Sequence, residues 1–96
     1  MRQSYLVAYD IRDDRRRDRV FHTLRGFGQH VQYSVFRCDL TPSEHIRLSA
    51  RLLEAIHVQE DQVLFADLGP TEGRGRTAIR ALGAPYDPPE RGSIVI

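Results

Sequence analysis

A chain of 96 residues with 41% hydrophobic and 28% charged residues has the composition of one globular domain with a modest core. No apolar run is long enough to span a bilayer, and the N-terminus lacks a signal-peptide pattern. The single cysteine, Cys38, excludes an intramolecular disulfide and a cysteine-rich zinc site. We therefore expect one cytoplasmic domain over residues 1–96, with no membrane partner.

The 14 basic residues are all arginine, and they are unevenly distributed. Residues 1–37 carry eight Arg and four Asp, a net charge of +4. Residues 38–73 carry two Arg and seven acids, a net of −5, and residues 74–96 carry four Arg and two acids, a net of +2. A basic end beside an acidic middle fits a surface that binds phosphate on one side, and it fits docking of a partner equally well.

The first strand is predicted over residues 4–10, and it is apolar on both faces. One face carries Tyr5, Val7 and Tyr9, and the other carries Leu6 and Ala8. A strand exposed on one side would alternate apolar and polar residues, so both sides of this strand are expected to be covered.

A helix follows, with Asp13 or Asp14 as its N-cap, and it extends to about residue 27. Its inward stripe is predicted to consist of Val20, Phe21, Leu24 and Phe27, which have helical spacing. Arg17 extends that stripe back by one turn, toward the end of the first strand.

Residues 30–40 are rich in β-formers and predict either one bent strand or two short strands joined by a tight turn near Tyr33. Thr41, Pro42 and Glu44 then form the pattern of a helix start with a capping box. The buried stripe of this second helix is predicted to consist of Ile46, Ala50, Leu53 and Ile56. Residues 61–68 predict another strand.

Residues 69–92 form a connection rich in Gly, Pro and Arg. Within it, residues 71–76 are predicted as a loop, and residues 77–82 as a short strand or a helical turn. Residues 84–92 contain three of the five prolines and predict no regular structure. Residues 93–96 predict a short terminal strand.

The element order predicts an α/β (α+β) fold, a ferredoxin-like βαββαβ sandwich with an antiparallel sheet. Two helices cover only one face of such a sheet, whereas the strands are apolar on both. A second copy of the chain is the simplest cover for the other face, so we predict a homodimer. The terminal strand at residues 93–96 would be added to the partner's sheet as a dimerisation strand.

Asp10 is the candidate catalytic residue and metal ligand. It ends a buried strand at the turn into a helix, a common place for a Mg²⁺ ligand, and phosphodiester-cleaving sites bind such ions through carboxylates. One carboxylate holds Mg²⁺ weakly, so the residues leave open whether Asp10 is a ligand or only steadies the turn. A two-fold axis near Asp10 would supply a second carboxylate.

Five arginines at the start of the first helix are the candidate nucleic-acid contacts: Arg12, Arg15, Arg16, Arg17 and Arg19. Cations there oppose the helix dipole, at a cost of about a few tenths of a kcal/mol each. Bidentate binding of phosphate would explain that cost. The alternative is a solvated face paired with Asp13, Asp14 and Asp18.

The segments YLVAYDIRDD, RRRDRV and GFGQHVQYSVFRCDL together resemble the CRISPR-associated Cas-two family, over roughly residues 5–68. The resemblance implies a ferredoxin-like homodimer with a two-fold interface between the sheets. It also implies that Asp10 of each chain binds one shared Mg²⁺, which activates water at a phosphodiester. The residues that match family positions near this site are Tyr9, Arg17, Arg19, Ser34 and Phe36.

His30 departs from the family pattern, because relatives thought to need a basic residue there often have Arg. A histidine is mostly neutral near pH 7, so a permanent phosphate contact is missing at this position. This difference bears on cleavage and leaves the predicted fold unchanged.

Two functions follow from the resemblance. One is a Mg²⁺-dependent endonuclease acting on RNA or DNA in the adaptation stage of CRISPR defence. The other is a non-catalytic scaffold that binds duplex DNA between two dimers of the Cas-one integrase. A third function, a small-molecule-sensing regulatory domain, is not favoured by the arginine cluster. The sequence leaves open the nature of the target, RNA or DNA, and any base preference.

Overall fold

The computed structural model describes residues 1–87 of the chain. Its elements in chain order are β1 (Gln3–Asp10), α1 (Asp14–Arg25), β2 (Gln29–Gln32), β3 (Val35–Leu40), α2 (Pro42–Ala55), β4 (Gln62–Pro70) and α3 (Arg74–Thr77). The terminal strand predicted at residues 93–96 lies outside the described residues, as does the end of the predicted connection. No helix within residues 1–87 is long and apolar enough to cross a membrane.

The four strands form one sheet in the order β2-β3-β1-β4, and every neighbouring pair is antiparallel. The central strands pair with Tyr5 opposite Cys38 and Val7 opposite Phe36. This strand order, with α1 and α2 as the two crossovers, is that of a βαββαβ sandwich. The predicted α+β fold with an antiparallel sheet is confirmed.

The core lies between one face of the sheet and the two long helices. Its largest fully buried side chains include Val7 and Phe36 from the central strands, Val20 and Leu24 from α1, and Leu48 from α2. The inward stripe predicted for α1 is therefore confirmed, with Phe27 also buried although the helix ends at Arg25. Gly26 forms the helical C-cap, and its N–H donates to Thr23 O.

Both helix starts form as the sequence predicts. Asp13 is the N-cap of α1, and its carboxylate accepts a hydrogen bond from Arg16 N at 3.0 Å. Thr41 and Glu44 form the reciprocal capping box of α2, with Pro42 in its first turn. These local signals depend on neighbouring residues alone, which is why they can be identified without knowledge of the fold.

The prediction for the buried face of α2 was wrong. The buried residues of this helix are Leu48, Leu52 and Ala55, whereas Ile46 is 69% exposed and Leu53 is 61% exposed. α2 carries two apolar stripes of helical spacing, and the sheet and α1 cover the other one. Among the four predicted residues, Ala50 is also exposed and Ile56 is half-buried.

The segment from residue 30 to residue 40 is a tight hairpin rather than one bent strand. β2 and β3 are joined at Tyr33 and Ser34. Tyr33 has a φ of 37°, in the left-handed region that few side chains adopt, and its side chain is 92% exposed. The hairpin was one of the two alternatives that the sequence allowed.

The predicted loop at residues 71–76 was wrong in part, because α3 begins at Arg74. Gly75 of this short helix packs closely against β1. A Cβ atom at Gly75 would lie 2.7 Å from Ser4 Oγ. Such a close approach is a tertiary contact with no local sequence pattern. Beyond Thr77 neither of the predicted elements, a strand or a helical turn, continues through residue 82.

The sheet face opposite α1 and α2, which we call the outer face, carries an apolar group of residues, with Arg37 on β3 directly opposite Leu6. Residues directly opposite each other in the ladders share this face, and they include Leu6, Ala8, Val35, Leu64 and Ala66. Leu64 is 56% exposed, and the first three are half-buried. The middle of β1 thus carries apolar residues on both faces of the sheet, as the sequence predicts.

Candidate functional site

Asp10 ends β1 as an exposed carboxylate. It pairs with Gln62 of β4, and the alternation along β1 from buried Tyr9 places Asp10 on the outer face. Within residues 1–87 no side chain or backbone N–H donates a hydrogen bond to its carboxylate. Asp10 is therefore available to a ligand from outside the described chain.

The turn after Asp10 is steadied by a different carboxylate. Asp61 Oδ1 accepts from Arg12 N at 3.0 Å, and Asp61 Oδ2 accepts from His57 N at 2.8 Å. Its carboxylate thus bridges the residues just before α1 to the loop after α2. Asp13 provides the N-cap, so steadying the turn, the alternative role considered for Asp10, is performed by these two residues instead.

Asp61 also binds the guanidinium of Arg16. Arg16 Nε lies 2.7 Å from Asp61 Oδ2, and Arg16 Nη2 lies 3.2 Å from Asp61 Oδ1. The hydrogen bonds from Arg16, assisted by the two backbone N–H groups, hold the pKa of Asp61 far below its ordinary value. The sequence analysis missed this residue. Its only sequence signal was an acid placed just before a strand.

The five candidate arginines divide into two groups. Arg16 is held by Asp61 and also by Glu60, at 3.1 Å. Arg17 is paired with Asp14, and its Nη2 donates to Ile11 O at 2.8 Å, so it does reach toward the end of β1. The guanidiniums of Arg16 and Arg17 are therefore engaged in contacts that stabilise the turn between β1 and α1.

The second group consists of arginines that form no ion pair within residues 1–87. The side chains of Arg12, Arg15 and Arg19 are exposed and have no acidic partner among residues 1–87. They lie on α1 or just before it, close in the chain to Asp10. Three unneutralised guanidiniums near the start of α1 form a surface suited to phosphate.

Three of the residues that the resemblance places near the site, Tyr9, Ser34 and Phe36, lie at the end of β1 or next to it. Tyr9 is buried, and its N–H donates to Ser34 O at 3.1 Å, which ties the hairpin turn to the end of β1. Burial raises the pKa of Tyr9 despite the nearby charge of Arg17. Phe36 is fully buried, with its ring centroid 6.4 Å from that of Tyr9. The side chains of Tyr9 and Phe36 thus pack in the core behind the end of β1.

His30 lies at the hairpin, exposed to solvent. Its Nε2 is 2.6 Å from Tyr33 O, and its ring lies 4.9 Å from Phe36 and 5.1 Å from Phe21, measured between centroids. The imidazole is therefore engaged by the hairpin and by an aromatic cluster. It is placed to support the turn that contacts Tyr9, and its second ring nitrogen remains available.

A single chain offers one carboxylate at this site. Within residues 1–87 no group of three or more His, Cys, Asp or Glu side chains is placed to hold a metal ion. The oxygen ligands of Asp10 suit a hard cation such as Mg²⁺, which keeps several waters and binds one or two carboxylates. One carboxylate holds such an ion weakly, so a metal site built on Asp10 would need a further ligand from outside the single chain.

The fold is that of a small ferredoxin-like protein whose first strand ends in an exposed carboxylate. The sequence matches the family described as CRISPR associated protein Cas2 over residues 3–74. The chain belongs to this family.

Curated relatives cover the chain well. A protein of Geobacter sulfurreducens named CRISPR-associated endoribonuclease Cas2 is 38% identical over 96 residues, which is all of both chains. A protein of Rhodospirillum rubrum named CRISPR-associated endoribonuclease Cas2 1 is 41% identical over 97% of this chain and 90% of its own length.

Solved structures share the fold. A hypothetical protein of Thermus thermophilus aligns with a TM-score of 0.76 at 30% identity, covering 93% of this chain and all of that one. Cas2 of Streptococcus pyogenes aligns with a TM-score of 0.67 at 33% identity, covering 83% of this chain and 99% of that one.

Proposed function

We propose that this protein is a homodimeric, Mg²⁺-dependent endonuclease of the cytoplasm that acts in CRISPR adaptation and hydrolyses phosphodiester bonds at Asp10. The observation that carries the proposal is the exposed Asp10 carboxylate, without a hydrogen-bond donor among residues 1–87, at the end of a central strand. The relatives' name, endoribonuclease, makes RNA the first substrate to test.

The outer face supports a dimer in which two copies of Asp10 approach each other. Leu64, Leu6 and Val35 leave an apolar strip on this face that a second sheet would cover. Asp10 lies at one end of the same face. A two-fold axis near that end would bring two carboxylates to one Mg²⁺, which neither chain could hold well alone.

The chemistry divides between the ion and the protein. A bound Mg²⁺ supplies Lewis acidity and makes a coordinated water more acidic. Asp10 holds the ion, while Arg12, Arg15 and Arg19 bind the phosphodiester backbone. Tyr9 fixes the strand end through its hydrogen bond to the hairpin turn, so the carboxylate is presented on a rigid element.

A second candidate function is a non-catalytic scaffold that grips duplex DNA and binds the Cas-one integrase. The three exposed arginines without acidic partners favour it, because they would contact a phosphate backbone whether or not a bond is cut. In that function Asp10 need not bind a metal ion, and His30 need not carry charge.

The test compares the wild type with Asp10→Ala on single-stranded RNA and on duplex DNA, each with Mg²⁺ or with EDTA. Asp18→Ala is the matched control, since Asp18 is an exposed acid of α1. We expect cleavage by the wild type and by Asp18→Ala in Mg²⁺, and none by Asp10→Ala or in EDTA. The melting temperatures of all three proteins show that the variants fold.

Equal cleavage by the wild type and Asp10→Ala would remove Asp10 from the chemistry. If neither protein cleaves and both bind duplex DNA with a steep dependence on salt, the scaffold function stands instead. A species of one chain in sedimentation velocity at micromolar concentration would contradict the dimer.

A further inference from the structure

The solvent side of α2 carries an apolar line that the fold does not use. Ile46, Ala50 and Leu53 have i, i+4 and i+7 spacing, and we call these three residues the α2 ridge. Ile46 is 69% exposed and Leu53 is 61% exposed. The ridge is on the side of the helix opposite Leu48 and Leu52, which are in the core. Large aliphatic side chains aligned in this way mark an interaction surface.

One flank of the ridge is charged. Arg47 and Glu54 are seven residues apart, so they lie on one line along the helix beside the ridge. The guanidinium carbons of Arg47 and Arg51 lie 5.9 and 5.6 Å from the ring centroid of Phe27, which holds both side chains along that flank. Neither arginine is paired with an acid among residues 1–87.

We propose that the α2 ridge is a contact with a second copy of this chain, in which two α2 helices pair antiparallel about a two-fold axis at Ala50. Such a contact is isologous, so each residue meets its symmetry counterpart. Ala50 is small enough to let two helices approach closely at the crossing point. Ile46 of one copy then packs against Leu53 of the other.

The charges fit this arrangement. A helix rises about 1.5 Å per residue. Along the helix, Arg47 therefore lies about 4.5 Å before the axis at Ala50, and Glu54 lies about 6 Å after it. Rotation about the axis therefore brings Arg47 of one copy beside Glu54 of the other, on the same flank. The contact supplies an acid to an arginine that lacks one in the single chain.

The partner is a second copy rather than a nucleic acid because the centre of the surface is apolar, which a phosphate backbone would not cover. The contact is built on three side chains, whereas stable interfaces bury roughly 1,000 Å² or more, so it is expected to be reversible and to form at high protein concentration. It lies on the layer opposite the outer face. A protein that also pairs through its outer face would thus use two separate isologous contacts.

The experiment uses the variant Ala50→Cys under mild oxidation. Cys38, the one native cysteine, is fully buried, so the new thiol is the accessible one. Two cysteines at the crossing point fall within the Cα separation that a disulfide needs. Ala81→Cys, at an exposed site away from α2, is the matched control. We expect Ala50→Cys to form cross-linked dimers at least about tenfold faster than Ala81→Cys. The double variant Ala50→Cys/Leu53→Glu should cross-link no faster than Ala81→Cys.

Charge reversal provides the second readout. Arg47→Glu and Glu54→Arg should each slow the cross-linking of Ala50→Cys, and the two together should restore the rate, because the pair is rebuilt with opposite polarity. Leu64→Glu, on the outer face, should leave the rate unchanged, so failure of the outer-face dimer is distinguished from failure of this contact.

Three results would overturn the proposal. One is cross-linking of Ala50→Cys no faster than that of Ala81→Cys. Another is a double charge reversal that remains as slow as the single variants. The third is protection of the Ala50→Cys thiol from a maleimide only when duplex DNA or the Cas-one integrase is added, which would assign the ridge to that partner.

Discussion

Arg16 Nε lies 2.7 Å from Asp61 Oδ2, and this ion pair ties the first turn of α1 to the residue before β4. The Asp61 side chain is fully buried and also accepts two backbone N–H groups. The pair therefore fixes the turn that follows Asp10, although neither side chain forms a hydrogen bond with the Asp10 carboxylate. One of the five arginines that the sequence assigns to nucleic acid thus has a structural partner.

Replacement of Asp61 by Asn should lower the melting temperature by several degrees. The neutral amide loses the charge that Arg16 needs, and one of its two polar atoms can no longer accept a backbone N–H. Glu60→Gln is the control, because Glu60 meets the same guanidinium at the exposed surface. Thermal unfolding followed by circular dichroism should show little change for Glu60→Gln. Equal losses in both variants would contradict a special role for Asp61.

Acid should destabilise the protein through the same carboxylate. The pKa of Asp61 is lowered in the folded protein, chiefly by the hydrogen bonds from Arg16. The pKa of Glu44 is also lowered, because burial, which raises it, is outweighed by the hydrogen bonds that Glu44 accepts from Thr41 and Arg2. Their contribution is complete above the unfolded pKa values, near 4, and is lost as the pH falls toward the folded values. Urea unfolding from neutral pH down to about pH 3 should show a smaller loss of stability in Asp61→Asn than in the wild type. Parallel curves would contradict the assignment.

Two glycines at the end of α1 should respond differently to alanine. A Cβ at Gly28 would lie 2.3 Å from Arg37 O and 2.6 Å from Cys38 Sγ, so Gly28→Ala must displace β3 backbone, at a cost of about 2 kcal/mol or more. A Cβ at Gly26 meets only Thr23 O at 3.4 Å, with helical backbone angles, so Gly26→Ala should be neutral. Denaturant unfolding measures both changes, and equal stabilities would contradict the close approach.

Arginines with and without acidic partners should be separable by salt dependence. Arg15→Ala and Arg19→Ala should each reduce the slope of log K against log salt for duplex DNA by about 1, without changing the melting temperature. Arg16→Ala should lower the melting temperature and change the slope less, because its guanidinium is held by Asp61. Fluorescence anisotropy over a series of salt concentrations gives the slopes. A slope unchanged in all three variants would exclude α1 from DNA binding.

The thiol of Cys38 should react only when the protein opens. Burial, together with the charge of Asp39, raises the pKa of Cys38 to about 12, so the thiolate is scarce at neutral pH. Labelling with iodoacetamide should therefore proceed at the rate of unfolding and accelerate in urea. Rapid labelling of the folded protein would show that β3 is more accessible than its burial indicates.

The sequence was sufficient for features fixed by near neighbours. The capping box at Thr41 and the inward stripe around Leu24 were predicted correctly, because both depend on spacing along one segment. The buried face of α2 was not, because its sequence contains two apolar stripes and only the position of the sheet selects Leu48 over Ile46. α3 escaped notice for a similar reason, since it is held by the fit of Gly75 against β1.

The candidate site shows the same division. The position of Asp10 at the end of a strand could be predicted from the sequence, because it depends on a local pattern, whereas its role as a ligand stays a prediction. The pairing of Arg16 could not be predicted. It depends on Asp61, which is 45 residues from Arg16 along the chain and meets it only in the folded sheet.

Because each chain contributes one Asp10 carboxylate, activity should depend on the concentration of the protein. If each reaction centre needs one Asp10 from each of two chains, the number of working centres varies with the square of the protein concentration as long as most chains are unpaired. Activity per chain would then rise with expression level and fall on dilution, with no inhibitor involved. A cell could keep such a nuclease silent simply by making little of it.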